Sequence, residues 1–240
     1  MVERPLERMT ARLLAAIERH GLLLESDPKW PSLVALVVGA PVKGSWWSHP
    51  RGREIFAVSN AVADSGEAEL VKLLAGKLTW VHRRLWPELH AVGSERAAWQ
   101  TLDLPVAAAR ILEAVADRGR VRADDPTLVR LSETKDELRA AIAAVERRLL
   151  VHVTSEHTEH GRHERVLESW DRWADRVKLR RHEDDPAKAR ARLEAAAEAL
   201  AAGAAAAMPW PVASPPDRRA RGAPRRGAPR PAAGGRSRRP

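Results

Sequence analysis

The chain has 240 residues, nine Trp, one Phe, and neither Tyr nor Cys. The lack of cysteine excludes disulfides, thiol catalysis and thiolate metal sites, while the length allows one large domain or two small ones with a real core. The formal charge is +9, but residues 210–240 hold nine Arg and one Asp, which leaves 32 cations against 31 anions elsewhere; any nucleic-acid affinity of the body must then come from a local patch, not from bulk charge.

The N-terminus is charged and periodic and lacks the apolar run of a signal peptide. The longest apolar run, near 33–42, is too short for a membrane span. A soluble, cytoplasmic protein is expected, with no membrane partner. Residues 5–24 read as an amphipathic helix, with Leu6, Met9, Leu13, Leu14 and Ile17 on one face and Gly21 as a C-cap. Residues 31–38 (PSLVALVV) are apolar all round and should be buried, with Gly39 and Pro41 ending them. A corner follows, KGSWWSHPRGREIF, and then a helix over 50–64 with Ile55, Phe56, Val58 and Val62 inward. ELVKLLAGKLTWVHRRL (69–85) predicts a β-hairpin around Ala75-Gly76-Lys77, with Leu78, Trp80 and His82 sharing one face. A short helix over 86–92 comes next.

Residues 103–118 predict a helix with Asp103 as N-cap and Gly119 as C-cap, then a short strand at 120–123 and a turn or short helix in DDPTLVRL. Thr134 and Glu137 form a capping-box signature for a helix over 135–148. LLVHVTSE and ERVLESW are two β-arms around 157–163. Pro186 opens an Ala-rich helix over 186–207, and the Pro/Ala/Gly/Arg-rich tail that follows has no apolar periodicity and is expected to be disordered.

This order predicts an α+β, mostly helical fold. It consists of tandem winged-helix-like units with β-hairpin wings over 1–98 and 99–180, an Ala-rich helix over 181–209 and a disordered tail over 210–240. KGSWWSHPRGREIF, VKLLAGKLTWVHRRLWPELHAVG and HTEHGRHERVLESWDRWA resemble a largely uncharacterised bacterial family related to the winged-helix alkyl-DNA glycosylases, across about residues 5–175. The resemblance implies a DNA-related fold. Those enzymes use a Gln-x-Gln or Gln-x-Asp motif to place water. The one glutamine here, Gln100, is followed two residues on by Leu102, so no catalytic residue carries over.

The candidate nucleic-acid-binding residues are Lys43, Trp46, Trp47, His49, Arg51 and Arg53 at the corner, and Arg83 and Arg84 in the second hairpin arm. Exposed Trp beside cations can stack on bases or wedge a base step. The competing reading is a plug, with one Trp inward beneath Phe56 and the other over a helix end. Adjacent residues do not easily both face inward, so one Trp is structural and one is the candidate. The cations at the start of helix 50–64 suit phosphate, and the HRR arginines suit a wing on the backbone.

Elsewhere the bland reading is favoured. The outer face of 135–148 mixes signs. The His157, His160 and His163 run lies at a hairpin tip with three-residue spacing, unlike the i, i+4 pair of helical zinc signatures, so no metal is expected. Trp170 and Trp173 should clamp a helix start onto the second unit's core. No phosphate loop or G-x-S-x-G elbow occurs, and no cofactor is expected. The favoured function is a DNA-binding protein dominated by phosphate contacts. The alternatives are a diverged glycosylase-like repair enzyme and a protein-interaction module.

Overall fold

A glycine decides the first turn of the chain. Helix α1 (Pro5–His20) buries Leu13 and Ile17 and ends at Gly21, whose φ of 81° is the left-handed conformation that glycine adopts freely. A Cβ there would lie 2.8 Å from the tip of the Leu85 side chain, so it is chiefly the backbone conformation that requires glycine. The chain leaves this turn extended. Leu22–Leu24 is strand β1, not the last turn of a helix running to residue 24. The computed structural model describes residues 4–157, 163–180 and 185–211.

The first unit continues with α2 (Leu33–Val38), capped by the Ser32 hydroxyl on the Ala35 N–H. Then come α3 (Gly52–Asp64), β2 (Ala68–Lys72) and β3 (Leu78–His82). The strands form an antiparallel sheet in the order β1-β3-β2. The hairpin turns through Leu74–Gly76, close to where the sequence placed it. As the central strand, β3 is covered on both faces, so Thr79, Trp80 and Val81 are all buried and the expected two-sided alternation disappears. Thr79 is accommodated because its hydroxyl donates to the Lys77 carbonyl and accepts from the Leu74 N–H.

Helix α4 (Trp86–Ser94) and the short α5 (Ala98–Thr101) lead to the second unit. It comprises α6 (Val106–Arg118), β4 (Arg120–Arg122), α7 (Pro126–Val129), α8 (Lys135–Arg147), β5 (His152–His157) and β6 (His163–Glu168). Its antiparallel sheet runs β4-β6-β5. Both units therefore share one element order, helix–strand–helix–helix–strand–strand, and one sheet order, in which the first strand pairs with the third. Helix α6 begins after Asp103, which has φ 53°, because Pro105 disfavours helical geometry at the residue before it. At α8 the Thr134 hydroxyl accepts the Glu137 N–H as expected, but the Glu137 carboxylate returns to the Glu133 N–H, not to Thr134.

The chain then comes back to the first unit. Helices α9 (Trp170–Arg176) and α10 (Pro186–Leu200) and the turn Ala204–Ala207 pack there. Trp170 and Trp173 belong to the first core, with Leu89, Val92 and Trp80, and not to the second, which gathers around Ile111, Leu138, Ile142, Val145 and Leu167. The Ala-rich helix stops at Leu200, seven residues earlier than the composition suggested, because Gly203 takes φ 78° and the Glu198 carboxylate binds its N–H. Met208 and Trp210 are buried in the first core, with the Trp210 indole donating to Glu194 at 2.6 Å. The tail expected to be disordered over 210–240 is corrected at its start, because Trp210 is buried and hydrogen-bonded; residues 212–240 lie outside the described residues. No helix among the described residues is long and apolar enough to cross a membrane.

Gly93 on α4 is the tightest point between the returning segment and the first unit. A Cβ there would fall 2.3–2.5 Å from the Trp170 ring. Gly93→Ala is expected to lower stability by about 1–3 kcal/mol, the usual cost of overpacking, read as a lower urea midpoint at unchanged slope.

Candidate nucleic-acid interface

The corner between α2 and α3 is built by short-range rules. Gly39 ends α2 at φ 94°, and residues 46–48 close a 3-10 turn in which the His49 N–H reaches the Trp46 carbonyl at 3.0 Å. Helix α3 starts at Gly52, where a Cβ would sit 3.1 Å from the Trp47 carbonyl, so glycine eases a helix start this close to the turn. The two indoles stack at 4.2 Å with 20° between planes, and Trp47 meets Phe56 at 5.4 Å. Trp46 is half-buried and packs on the first core, whereas Trp47 is 64% exposed. The sequence left open which tryptophan is outward, and the answer is Trp47. Phe56, expected inward, is only half-buried, because it helps to brace Trp47.

The corner's cations have different roles. Arg51 forms a two-pronged ion pair with Glu54 at 2.6 and 2.8 Å and reaches the Val38 carbonyl, so its charge is spent locally. That contact holds the Glu54 carboxyl below its ordinary range and raises the Arg51 guanidinium. His49 accepts the Arg51 N–H through Nδ1 at 3.1 Å and so shapes the turn. Lys43 and Arg53 are exposed and have no ion pair among the described residues.

Arg83 and Arg84 do not join this group. Strand β3 ends at His82, opposite Ala68, and Arg83–Leu85 forms a 3-10 turn at the base of the hairpin, not an arm of it. Arg83 bonds Glu67 through both backbone and side chain at 2.8 Å. These arginines emerge near the C-terminal end of α3, about 17 Å of helix away from Arg53. Arg84 lies over Gly21, with its Nη2 3.4 Å from the Arg19 carbonyl. Burial, followed by the Arg84 charge, pushes the His82 imidazole below its ordinary value.

That location exposes a feature the sequence reading missed. Arg4, Arg8, Arg12 and Arg19 on α1 are exposed, and none has an ion pair among the described residues. Their signal in the sequence is the i, i+4, i+8 and i+15 spacing on the side of the helix opposite Leu13 and Ile17.

A cleft of about 430 Å³ lies between the units, walled by Ser59 and Asn60 of α3, Leu78 of β3, and Thr154, Ser155 and Arg165 of the second hairpin. Its floor holds Glu146, paired to Lys72 at 2.8 Å and to Arg165. Beside it, buried Glu25 accepts the Trp80 indole N–H at 2.5 Å and the Ser59 hydroxyl at 3.1 Å. Gln100 is fully buried. Its amide donates to the Val92 and Arg148 carbonyls and its oxygen accepts the Ala97 N–H, so every group it offers is engaged with backbone. The 157–163 histidine run falls at the edge of the described residues, among which no group of three metal-ligating side chains occurs.

Comparison with protein-family models, with curated proteins and with solved structures finds no match.

Burial raises the Glu25 carboxyl above its ordinary 4.5, against the pull of the Trp80 and Ser59 hydrogen bonds. The folded chain then holds that proton more tightly than the unfolded one. The resulting stability is complete below pH 4.5 and is lost as pH rises through the raised value. Glu25→Gln keeps an acceptor for Trp80 without the charge. Its urea midpoint is expected to gain on the parent's as pH rises from 4.5 to neutrality.

Proposed function

We propose that the chain is a tandem winged-helix protein that binds DNA mainly through its phosphates. The repeated element order, with the first strand of each unit paired to the third, supports the winged-helix reading, a helix-turn-helix variant. In this reading α3 and α8 are the recognition helices, and the β2–β3 and β5–β6 hairpins are the wings. α3 presents Arg53 and Asn60 outward. α8 presents Lys135 and Arg147 but pairs Arg139 with Asp136, so the first unit is the stronger reader.

The observation that carries the reading is Trp47. A largely exposed indole, braced by stacking on Trp46, stands at the start of α3 in the same short segment as unpaired Lys43 and Arg53. A base face laid on this exposed indole would take apolar surface out of water, which is favourable. Base–aromatic stacking contributes about 1–3 kcal/mol per base. The cations supply the sequence-independent phosphate attraction, and the nine arginines of residues 210–240 add more.

The test is a tryptophan-fluorescence titration of the full chain with intact duplex, alkylated duplex and single-stranded DNA across salt. Binding should weaken steeply with salt. Trp47→Ala should cost about 1–3 kcal/mol of binding with an unchanged urea midpoint, whereas Trp46→Ala should lower the midpoint because that ring packs on the core. No binding at low salt would sink the reading.

A further inference from the structure

We infer that the outer face of α1 is a second nucleic-acid contact, a row of arginines that takes a phosphodiester backbone. The inference rests on the reading of the chain as a nucleic-acid binder, but on different residues. With 3.6 residues per turn, Arg8, Arg12 and Arg19 fall within an arc of about 40°, and Arg4 leads the row at the N-cap. Ala11 and Ala15 stand between them, so the guanidinium groups face solvent without tall neighbours. Glu7 and Glu18 are on the flank, and Glu7 is occupied by the Arg4 N–H. Arg84 extends the row past the end of the helix, where its Nη2 meets the Arg19 carbonyl.

The contrast with the second unit gives the row its meaning. There Arg118, Arg122 and Arg139 are paired with Asp125, Asp124 and Asp136. Such surface charges are solvated and cancelled. On α1, the four arginines make no ion pair among the described residues and outnumber Glu7 and Glu18 two to one, although like charges at i, i+4 repel and weaken a helix. A polyanion relieves that repulsion. Arg8 and Arg12 are separated by about 6 Å of helix rise, and a DNA strand carries a phosphate every ~3.4 Å along its axis. A strand lying along α1 thus presents about every second phosphate to Arg4, Arg8 and Arg12 and about the third one further on to Arg19, and the guanidinium fork binds phosphate oxygens in pairs.

An anionic lipid surface is the competing polyanion, but interfacial helices insert an apolar face. That face of α1, with Leu13 and Ile17, is sealed in the first core. The row therefore fits a backbone that needs charge and no insertion.

The experiment measures log K against log salt for the full chain on duplex DNA, with phosphatidylserine vesicles as a second arm. In R8Q/R12Q/R19Q, Gln keeps helix propensity and the tail is untouched. The slope should fall by about 2–3, at ~0.9 per lost phosphate contact, while R118Q/R122Q, off the recognition helices and paired to Asp125 and Asp124, leaves it unchanged. R8K/R12K/R19K should retain the slope. Should the triple Gln variant lose its helical circular dichroism, the single R12Q decides, with a fall of about 1. An unchanged slope in a parent that binds DNA overturns the row alone. Loss of vesicle binding with DNA binding intact overturns it in favour of a membrane. A parent that binds no DNA at low salt removes both this inference and the function it rests on.

Discussion

The two units are held in register by what surrounds Leu149. This buried residue adopts φ 52°, a left-handed conformation unfavourable to any side chain with a Cβ. The turn persists because its carbonyls are claimed from the other unit. The Trp170 indole donates to the Leu149 carbonyl at 2.6 Å, and the Gln100 amide donates to the Arg148 carbonyl at 3.1 Å while also holding Val92 at the end of α4. The Trp170 and Gln100 bonds to the Leu149 and Arg148 carbonyls thus fix the step from α8 into β5, and the Val92 bond ties it to α4. Next to them, His152 of β5 meets Glu69 of β2 at 3.1 Å, and Trp173 donates to the same carboxylate. These bonds with the charged Glu69 carboxylate, out of water, are the costliest to leave unmade. His152 and Trp173 hold it below its ordinary range despite the burial that pushes it upward.

Charge is distributed unevenly over this frame. Acids and bases in the second unit lie close enough to cancel, as at Arg122 with Asp124 and Arg118 with Asp125. At the joint, Glu146 gathers Lys72 and Arg165 from opposite sides. The first unit is different. Arg51 and Arg83 are spent on Glu54 and Glu67, and both ion pairs hold turns in place. Lys43, Arg53 and the α1 arginines remain uncommitted. A nearly neutral body can therefore still present an unpaired row of cations on its first unit.

What could be read from the sequence was whatever local chemistry dictates. Helices α6 and α8 follow from 3.6-residue periodicity, and the β2–β3 hairpin follows from a glycine between two β-favouring arms. Strand β1 escaped because three consecutive leucines after a glycine fit a buried strand and a helix end equally well. Its pairing with Val81, Trp80 and Thr79 is set some sixty residues later. The partner of Trp170 and Trp173 escaped for the same reason, since helical spacing shows which residues share a face but not which core receives it. At the corner, spacing identified the aromatic pair and the cations. It could not show that Arg51 is consumed by Glu54, nor that β3 carries Arg83 and Arg84 to the far end of α3.

The return of α9, α10 and Trp210 to the first core also sets an order of events during synthesis. The second unit's core is contiguous, from Ala107 to Leu167, and among the described residues none made later belongs to it. The first unit begins at α1 yet is completed by Trp173, Leu193 and Trp210. As the chain leaves the ribosome, the usual sequence of N-terminal domain first is reversed. The second unit can close while the first is still an open sheet with its hydrophobic face uncovered. The interval of greatest aggregation risk for the nascent chain then lasts until residue 210 has emerged.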